Sequence, residues 1–341
     1  NKENLNPKNI FSKIKKIITS KWNLILLIFL IKENDYVTSH FKNNPLKDYK
    51  KILIIGASGL VGLNILATLI NFTRKFNSDL SIHCISKSKS LEKFLKTINR
   101  KNLSFFNIDI TKKKLHQKYD LIIFCAGYSS PHTFTRDKNT LLIPSVGLNN
   151  TFQNLKKNGK LIYFSSSEVY NGLESNFTEK KSGNTNFDDA RATYINGKKF
   201  GETLSYNKIK EGYSVLILRL SLAYGPGAGV DDKRVLNDFI LKALKNDKIK
   251  MLDQGNNIRK YIFISDVIIY LFKLISKNKI GAFNISGKSK TSILDLAKMI
   301  SKRTNANLIL PKKNQPIPGA PKIVNISIKK LNKVYKLDLL N

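Results

Sequence analysis

The sequence predicts an α/β fold in which a parallel sheet is covered by helices on both sides. From Lys50 onward, short β-branched runs alternate with longer amphipathic stretches, which is the order of strands and crossover helices. The runs are apolar almost throughout, as expected of strands that are buried on both faces. With 341 residues, 42% of them hydrophobic, the chain is long enough for one large domain or two modest ones.

Each element follows from this alternation. The strands are predicted at residues 51–55, 81–85, 103–107, 121–126, 160–165 and 214–219, and the helices between them at about 60–76, 90–98, 138–157 and 190–211. The later part of the chain predicts a helix near 233–246, a strand at 260–264, a helix at 267–277 and a strand at 281–285. Ser292 is expected to cap a further helix that buries Leu294, Leu296, Ala297 and Ile300.

Residues 1–48 are predicted to be a helical extension rather than a membrane anchor. The apolar run from Leu24 to Ile31 has eight residues, whereas a bilayer span needs about 20. No small-residue cleavage site follows it in the manner of a signal peptide. We therefore expect a helix over 24–43 packed on the main domain. Binding to a membrane surface is the alternative, because lysines precede the run. The chain does not begin with Met, which suggests a fragment.

The basic composition bounds the partners and the compartment. The formal net charge of +35 comes from lysines scattered through nearly every segment, which favours a general compositional bias over a nucleic-acid-binding stripe. No nucleic acid is expected, while a positive surface favours an anionic substrate. The two cysteines, Cys84 and Cys125, fall in predicted buried strands, which fits a cytoplasmic protein without disulfides. The four histidines have no metal-ligand spacing, so no metal is expected.

A glycine-rich turn joins the first strand to the first helix. Its glycines are spaced Gly-x-x-Gly-x-x-Gly. Such a turn lets the backbone approach a pyrophosphate closely, and the N-terminus of the following helix attracts the phosphate charge. The strand–turn–helix order predicts a Rossmann-type dinucleotide site rather than a purely structural turn. The residues expected to bind are Gly56, Ser58, Gly59, Leu60, Val61 and Gly62.

The ends of the second and third strands bear on which dinucleotide is bound. An acidic residue that binds the adenosine ribose is expected after the second strand, but Ser86 and Lys87 stand there. They could accept a 2′-phosphate, so the predicted cofactor is NAD, with NADP as an alternative. Lys87 could also simply belong to the general lysine excess. Asp109, with Ile110 beside it, is predicted to contact the adenine.

Tyr194 and Lys198 are predicted to form a proton-transfer pair. A tyrosine with a pKa near 10 is a poor base at neutral pH, and the charge of Lys198 one helical turn away is expected to lower the pKa of Tyr194. Lys198 could also hold the ribose hydroxyls of the cofactor. Ser166, at the end of the fifth strand, is expected to orient the substrate hydroxyl. An ordinary surface Tyr and Lys is the alternative, which the upstream glycine turn and Ser166 disfavour.

Residues 50–335 resemble an extended short-chain dehydrogenase/reductase of the nucleotide-sugar epimerase/dehydratase family. Besides the glycine turn and the Tyr-x-x-x-Lys pair, the resemblance rests on segments 124–131, 219–227, 230–235 and 259–266. It implies that Ala126 and Gly127 border the nicotinamide. It also implies that the substrate is a nucleoside-diphosphate sugar, bound by Ser129, Arg191, Arg234 and Arg259. Of these, Arg234 and Arg259 would lie near the diphosphate and the sugar, where guanidinium forks are better suited than lysine.

The resemblance also implies a reaction. In this family Tyr194 would deprotonate the sugar C4 hydroxyl while C4 gives a hydride to the nicotinamide, and the 4-keto sugar is then epimerised, dehydrated or decarboxylated. A 4,6-dehydratase typically has Asp-Glu after the hydroxyl residue, whereas Ser167 and Glu168 stand here, as in the UDP-glucuronate decarboxylase branch. The expected catalytic set is therefore Tyr194, Lys198, Ser166, Ser167 and Glu168. The alternatives are a 4-epimerase, a 4,6-dehydratase or a 4-keto-reductase and, more remotely, a noncatalytic dinucleotide-binding regulator or an RNA-binding relative.

Three positions depart from the family pattern. Leu222 and Pro144 stand where the family often has Asn, and Asn171 stands where Gly is usual, so the sugar pocket is expected to differ from the family pattern. The resemblance further implies a role in polysaccharide biosynthesis and a homodimer paired through the helices at 138–157 and 190–211. It divides the chain into a dinucleotide-binding domain over 49–222, to which 261–280 returns, and a substrate-binding region over 223–260 and 281–341.

Overall fold

The computed structural model describes residues 30, 34–87, 91–92, 95, 101–113, 115–128, 130–134, 137–175, 177–229, 232–313, 321 and 323–339. Its centre is a seven-stranded sheet in which every neighbouring pair is parallel, with the strand order β7-β6-β5-β4-β1-β2-β3. The strands are β1 (Lys51–Ile55), β2 (Ser81–Ile85), β3 (Leu103–Phe106), β4 (Tyr119–Phe124), β5 (Leu155–Ser166), β6 (Ser214–Leu220) and β7 (Gly281–Ile285). The predicted Rossmann-type α/β fold is confirmed.

Helices cover both faces of the sheet. They are α1 (Leu60–Lys75), α2 (the consecutive stretches Asn139–Leu142, Ile143–Gly147 and Leu148–Phe152), α3 (Ala192–Lys210), α4 (Val235–Asn246), α5 (Ile264–Ser276), α6 (Ile293–Thr304) and α7 (Lys329–Val334). The central strands are buried on both faces, which explains their continuous apolar sequence. The predicted helix at 90–98 lies mostly outside the described residues.

One face of the sheet carries α1, α5 and the segment before β1. Phe41, Phe72 and Phe272 pack edge to face there, with ring centroids 5.3 Å apart for Phe41 and Phe72 and 5.0 Å apart for Phe72 and Phe272. Residue 30 and residues 34–39 are helical, and residues 24–29 and 31–33 lie outside the described part. The predicted helix was too long at its C-terminal end: the helix ends at Ser39, where the backbone N–H groups of His40 and Phe41 donate only three residues back, to the Val37 and Thr38 carbonyls.

The helix predicted over 138–157 is also shorter than expected. It ends at Phe152, and β5 begins at Leu155. Asn154 lies at the change: its backbone oxygen accepts from Tyr119 at 2.8 Å, and its Nδ2 donates to the carbonyls of Leu115 and Gln117. These hydrogen bonds join the chain to β4 and to the loop before β4, so the helix cannot continue.

A separate cluster of buried residues lies beyond the main sheet. Helices α4 and α6 pack there with the paired strands Lys248–Lys250 and Asn307–Ile309. The predicted cap is confirmed, since Ser292 Oγ accepts from the Asp295 backbone N–H at 2.9 Å. Leu296, Ala297 and Ile300 are buried as expected, and Leu294 is half-buried. Within the described residues, no helix combines the length and apolarity that a bilayer span requires.

A buried polar network braces the edge of the sheet at which β5 ends. Arg219 in β6 donates two hydrogen bonds to Glu202 in α3, through Nε to Oε1 at 2.9 Å and Nη2 to Oε2 at 2.7 Å. Ser165 at the end of β5 donates to the same carboxylate at 2.6 Å. Arg219 also donates to the hydroxyl of Tyr170, which in turn donates to Asn284 in β7 at 2.8 Å. The network joins α3, β5, β6 and β7.

Candidate active site

A cavity of about 430 Å³ opens at the edge of the sheet where the parallel strands end. This edge is where open α/β sheets bind ligands. One end of the cavity is lined by the glycine turn and the residues after β4, and the other by α4 and the strand Ile258–Arg259. Of the predicted site residues, it brings together Gly59, Leu60, Val61, Gly62, Ala126, Gly127, Ser166, Ser167, Glu168, Arg191, Tyr194, Lys198, Arg234 and Arg259.

The glycine turn has the close packing that a dinucleotide cradle needs. Gly56 has a φ of +89°, and a Cβ there would lie 2.7 Å from the Ala126 backbone. A Cβ on Gly62 would overlap the carbonyl oxygen of Gly56, whereas one on Gly59 would meet its nearest atom at an ordinary 3.6 Å. The turn therefore holds α1 tightly against β1 and leaves the backbone at the helix N-terminus open to the cavity. These residues fit a dinucleotide pyrophosphate.

The residues predicted to contact the adenosine end lie outside the cavity lining. Ser86 Oγ donates to Ser58 Oγ at 2.6 Å, and Lys87 Nζ forms an ion pair with Asp109 at 3.0 Å. Hydrogen bonds from Thr111 and then Lys87 hold the pKa of Asp109 at about 2. Lys87 and Asp109 neutralise each other. A 2′-phosphate of NADP would therefore have to compete with the Asp109 carboxylate for the Lys87 ammonium. Ile110 is buried nearby.

Tyr194 and Lys198 lie on the buried side of α3, next to the end of β5. Lys198 Nζ donates to the Phe164 carbonyl at 2.8 Å and lies 5.9 Å from the centre of the Tyr194 ring. Burial lowers the pKa of Lys198 to about 8. Gly127 borders this ammonium, because a Cβ on Gly127 would lie 3.6 Å from Nζ. The pair is a buried feature of the cavity and not an ordinary surface Tyr and Lys.

The pKa of Tyr194 shifts in the direction opposite to the one expected from its sequence. Burial raises the pKa of Tyr194 to about 12, although a hydrogen bond with Ser166 and the charges of Arg191 and Arg234 act to lower it. The expected direction followed from the charge of Lys198 alone. In the structure that ammonium is itself buried and directed at the Phe164 carbonyl, and the loss of hydration around the phenol dominates.

Glu168 and Arg191 form one unit. Arg191 donates through Nε to Oε2 at 2.9 Å and through Nη2 to Oε1 at 2.6 Å, so both carboxylate oxygens are held by a single guanidinium. Sequence reasoning gave these residues separate roles, with Arg191 on the substrate. In the structure the fork of Arg191 is paired with Glu168 while Arg191 also lines the cavity, so its contact with a substrate stays a prediction. Ser167 is buried beside them.

The two remaining arginines differ in how they are paired. Arg234 donates to Asp232 through Nε and Nη2 and to the Ala223 carbonyl through Nη1 at 3.0 Å. Arg259 donates to the Ile258 carbonyl at 2.9 Å and forms no ion pair within the part of the chain that the structure describes. Burial lowers the pKa of Arg259. A half-buried guanidinium without a carboxylate partner is suited to an anionic ligand. Ser129, also predicted to bind substrate, lies outside the described residues.

Several lining residues were not predicted as site residues. Some lie in the segments that carry the family resemblance, and the others come from separate elements that form no motif. The most notable is Phe134, whose ring stacks on Tyr194 with the centroids 4.3 Å apart and the planes 13° from parallel. The structure also locates two of the residues that depart from the family pattern. Leu222 lines the cavity, and Pro144 packs against Gly197 on α3. Further lining residues that were missed are Cys125, Tyr128, Lys242, Lys250, Asp253, Asn257 and Tyr261.

Comparison with known proteins identifies the family of the chain. The model of the NAD dependent epimerase/dehydratase family matches residues 52–286. The chain belongs to this family. Membership confirms the resemblance seen in the sequence and NAD as the cofactor, which the glycine turn and the cavity beside it fit.

Relatives and solved structures add detail. UDP-glucuronic acid decarboxylase 1 of Xenopus tropicalis is 28% identical over 258 residues, which cover 74% of this chain and 60% of that protein. UDP-glucuronic acid decarboxylase 3 of Arabidopsis thaliana is 26% identical over 275 residues, which cover 78% and 79%. The chain thus spans about three fifths of the frog relative's length.

Two solved structures share the fold. The UDP-glucuronic acid 4-epimerase of Bacillus cereus, in complex with UDP-glucuronic acid and NAD, has a TM-score of 0.70 at 23% identity, with coverage of 83% of this chain and 92% of the epimerase. A dTDP-glucose 4,6-dehydratase of Streptomyces venezuelae with NAD bound has a TM-score of 0.70 at 15% identity, with coverage of 85% and 92%. At these identities the likeness concerns the fold.

Proposed function

We propose that the protein is an NAD-dependent nucleotide-sugar decarboxylase that acts on UDP-glucuronate or a close uronate through transient oxidation at C4. The observation that carries the proposal is the state of Glu168. It is the carboxylate of the Ser166-Ser167-Glu168 strand end, and Arg191 holds both of its oxygens. Dehydration needs an acid that protonates the leaving C6 hydroxyl, and a clamped carboxylate next to Ser167 is poorly equipped for this. The decarboxylases among the relatives also support the proposal.

The residues of the cavity would divide the work as follows. The backbone of Gly59–Gly62 would hold the NAD pyrophosphate, and Lys198 the ribose hydroxyls. When bound, NAD supplies the acceptor for the hydride that leaves the sugar C4, and its nicotinamide adds positive charge near the phenol of Tyr194. Arg259, which has no ion pair within the described residues, would bind the nucleotide diphosphate together with Arg234.

The proton chemistry would fall to Tyr194 and Ser166. Ser166 would orient the C4 hydroxyl, and Tyr194 would take its proton as C4 is oxidised. The C4 ketone is then β to the C6 carboxylate, so the electrons of the C5–C6 bond pass into the ketone as carbon dioxide leaves, and the resulting enolate takes a proton from water at C5 to restore the ketone. Burial raises the pKa of Tyr194 to about 12, so the positive charges of Lys198 and of bound NAD would have to favour the phenolate for Tyr194 to take the C4 proton. The phenol would then return that proton to the C4 oxygen when the ketone is reduced.

A panel of nucleotide sugars tests the proposal. The purified protein with NAD is incubated with UDP-glucuronate, UDP-glucose and dTDP-glucose, and the products are followed by mass spectrometry. We expect loss of carbon dioxide from the uronate and no dehydration of the neutral hexoses. A 4-keto-6-deoxy product from a hexose, with no reaction of any uronate, would identify a dehydratase. Inversion at C4 of the uronate without loss of carbon dioxide would identify a 4-epimerase. Either result would overturn the proposal.

We also propose a cytoplasmic homodimer that pairs through α2 and α3, in polysaccharide biosynthesis. Large apolar side chains stand exposed on these helices: Leu141, Val146, Phe200 and Tyr206. The two free cysteines support a reducing compartment. Light scattering at micromolar concentration should give a dimer mass for the wild type and a lower mass for Phe200→Glu. Phe187→Glu, at a Phe that is 93% exposed outside these helices, is the matched control. A monomeric wild type would contradict the proposal.

A further inference from the structure

Phe134 occupies an unusual place beside the proposed catalytic tyrosine. It ends the short helix Pro131–Phe134 after β4, lines the cavity and is 2% exposed. Its ring lies nearly parallel to that of Tyr194, with 4.3 Å between the centroids. Phe134, Tyr194 and Ile195 form a small buried cluster of their own, against which Tyr128 packs.

The same ring also contacts the clamp on Glu168. The guanidinium carbon of Arg191 lies 5.2 Å from the centre of the Phe134 ring, within the range of a cation–π contact. Arg191 and Tyr194 are three residues apart at the start of α3, so one aromatic ring can reach both. The Phe134 side chain thus contacts the phenol of Tyr194 directly. Through Arg191 it is also linked to the Glu168 carboxylate after the end of β5.

We propose that Phe134 is a positioning residue for proton transfer, which fixes the ring of Tyr194 against the cavity and steadies the Arg191 guanidinium that clamps Glu168. This rests on the proposed function in one respect, namely that Tyr194 transfers the proton. Phe134 itself touches neither of the atoms between which the proton would pass.

The surroundings of Tyr194 single out Phe134 among its neighbours. Ser166 and Glu168 face the phenol from the end of β5 and the turn after it, Arg191 and Lys198 from α3, and Arg234 from the segment before α4. Each of these is polar or charged. Phe134 is the stacked apolar neighbour that covers the ring and keeps water from it. Its removal should therefore act on the ionisation of Tyr194 as well as on its position.

The test uses the full chain with Phe134→Leu, the conservative Phe134→Tyr, and Phe187→Leu as the same change at an exposed Phe. Tyrosine labelled with ¹³C at Cζ reports each phenol by NMR, and the Tyr194 signal is assigned by its loss in Tyr194→Phe. In Phe134→Leu the pKa of Tyr194 should fall by ~1 unit, so that at about pH 10 its signal moves part of the way to the phenolate position. The wild type, Phe134→Tyr and Phe187→Leu should keep the protonated signal.

Kinetics with the reacting nucleotide sugar supply the second readout. We expect kcat of Phe134→Leu to fall about 10-fold with KM within about 2-fold of wild type, and Phe134→Tyr to restore it. The proposal is supported only if both the signal and kcat move. It is overturned if the Tyr194 signal stays as in wild type, whatever kcat does, or if the signal moves and kcat does not. A wild type that turns over none of the uronates would refute the proposed substrate alone, since the NMR arm needs no substrate.

Discussion

The two ends of the cavity are built in different ways. At the cofactor end, the geometry is carried by backbone: Gly62 packs on the Gly56 carbonyl within one seven-residue turn, and Gly56 packs on the Ala126 backbone after β4. At the substrate end, it is carried by charged side chains from distant segments, which pair with each other, as Arg191 does with Glu168. A backbone cradle has the same shape with or without its ligand. Paired charged side chains can exchange their partner for a charged ligand. We therefore expect the side chains at the substrate end to rearrange when substrate binds, and the backbone at the cofactor end to keep its shape when the dinucleotide binds.

Tyr194 stands where the two ends meet, and its removal should have the largest effect. Tyr194→Phe keeps the ring stacked on Phe134 but deletes the hydroxyl, so kcat should fall about 10²-fold or more while NAD still binds. Steady-state kinetics and calorimetric titration with NAD check the two parts. Tyr36→Phe, at a partly exposed tyrosine far along the chain, should leave kcat unchanged. Near-normal turnover in Tyr194→Phe would remove the tyrosine from the mechanism.

The cofactor end should tolerate no side chain at Gly62. Gly62→Ala places a methyl group against the Gly56 carbonyl oxygen, so the free energy of unfolding should fall by about 2 kcal/mol and NAD affinity should be lost. Gly59→Ala is the matched control for stability, because its Cβ meets its nearest atom at 3.6 Å. Urea unfolding and NAD titration measure both effects. Equal stability of the two variants would mean that the turn is less rigid than its packing indicates.

The substrate end should lose affinity by a smaller factor when one guanidinium is changed. Arg259→Lys keeps the charge but loses the planar fork, so KM for the nucleotide sugar should rise about 10-fold with kcat within about 3-fold of wild type. Arg74→Lys, the same change at an exposed position on α1, should alter neither constant. If kcat falls and KM does not, Arg259 acts on the reaction step and the division of labour between the arginines must be redrawn.

The smallest effect is expected beyond the cofactor end, at Asp109. The folded-state pKa of Asp109 is about 2, below the ordinary 3.8, so the ionised carboxylate stabilises the fold above about pH 4, and this contribution is lost as the pH falls towards 2. Asp109→Asn should lower the free energy of unfolding by about 1 kcal/mol at pH 7, since solvent weakens the ion pair with Lys87. The difference from wild type should shrink between pH 4 and 2. The exposed Asp188→Asn should show no such trend in urea unfolding.

The contrast between the two ends also explains what could be predicted from the sequence. The glycine spacing, the strand runs and the Tyr194–Lys198 pair depend on neighbours in the chain, and the structure brings these residues together as the pattern predicts. The clamp of Arg191 on Glu168 joins α3 to the end of β5, and the sequence contains no spacing that would reveal it. The sign of the Tyr194 pKa shift depends on how deeply the fold buries the phenol, which local sequence does not fix.

The predicted C-terminal end of α2 was wrong for a related reason. Residues 153–157 continue the pattern of α2, but the chain leaves the helix because Asn154 finds partners in the loop before β4. Those partners are about forty residues away in sequence, so no window on the helix itself contains them. The predicted helix cap at Ser292 was confirmed because its donor, the Asp295 backbone N–H, and its acceptor, Ser292 Oγ, lie within four residues of each other in the chain.

The polar network that runs from Ser165 through Glu202, Arg219 and Tyr170 to Asn284 has a consequence for biosynthesis. Asn284 belongs to the last strand of the sheet, and during synthesis it emerges from the ribosome long after β5 and α3. Until it does, the hydroxyl of Tyr170 lacks its acceptor at the edge that carries Ser166 and Glu168. A nascent chain can therefore hold a finished glycine turn while the Tyr170 hydroxyl still lacks its acceptor, so we expect the network to close only after the last strand has joined the sheet.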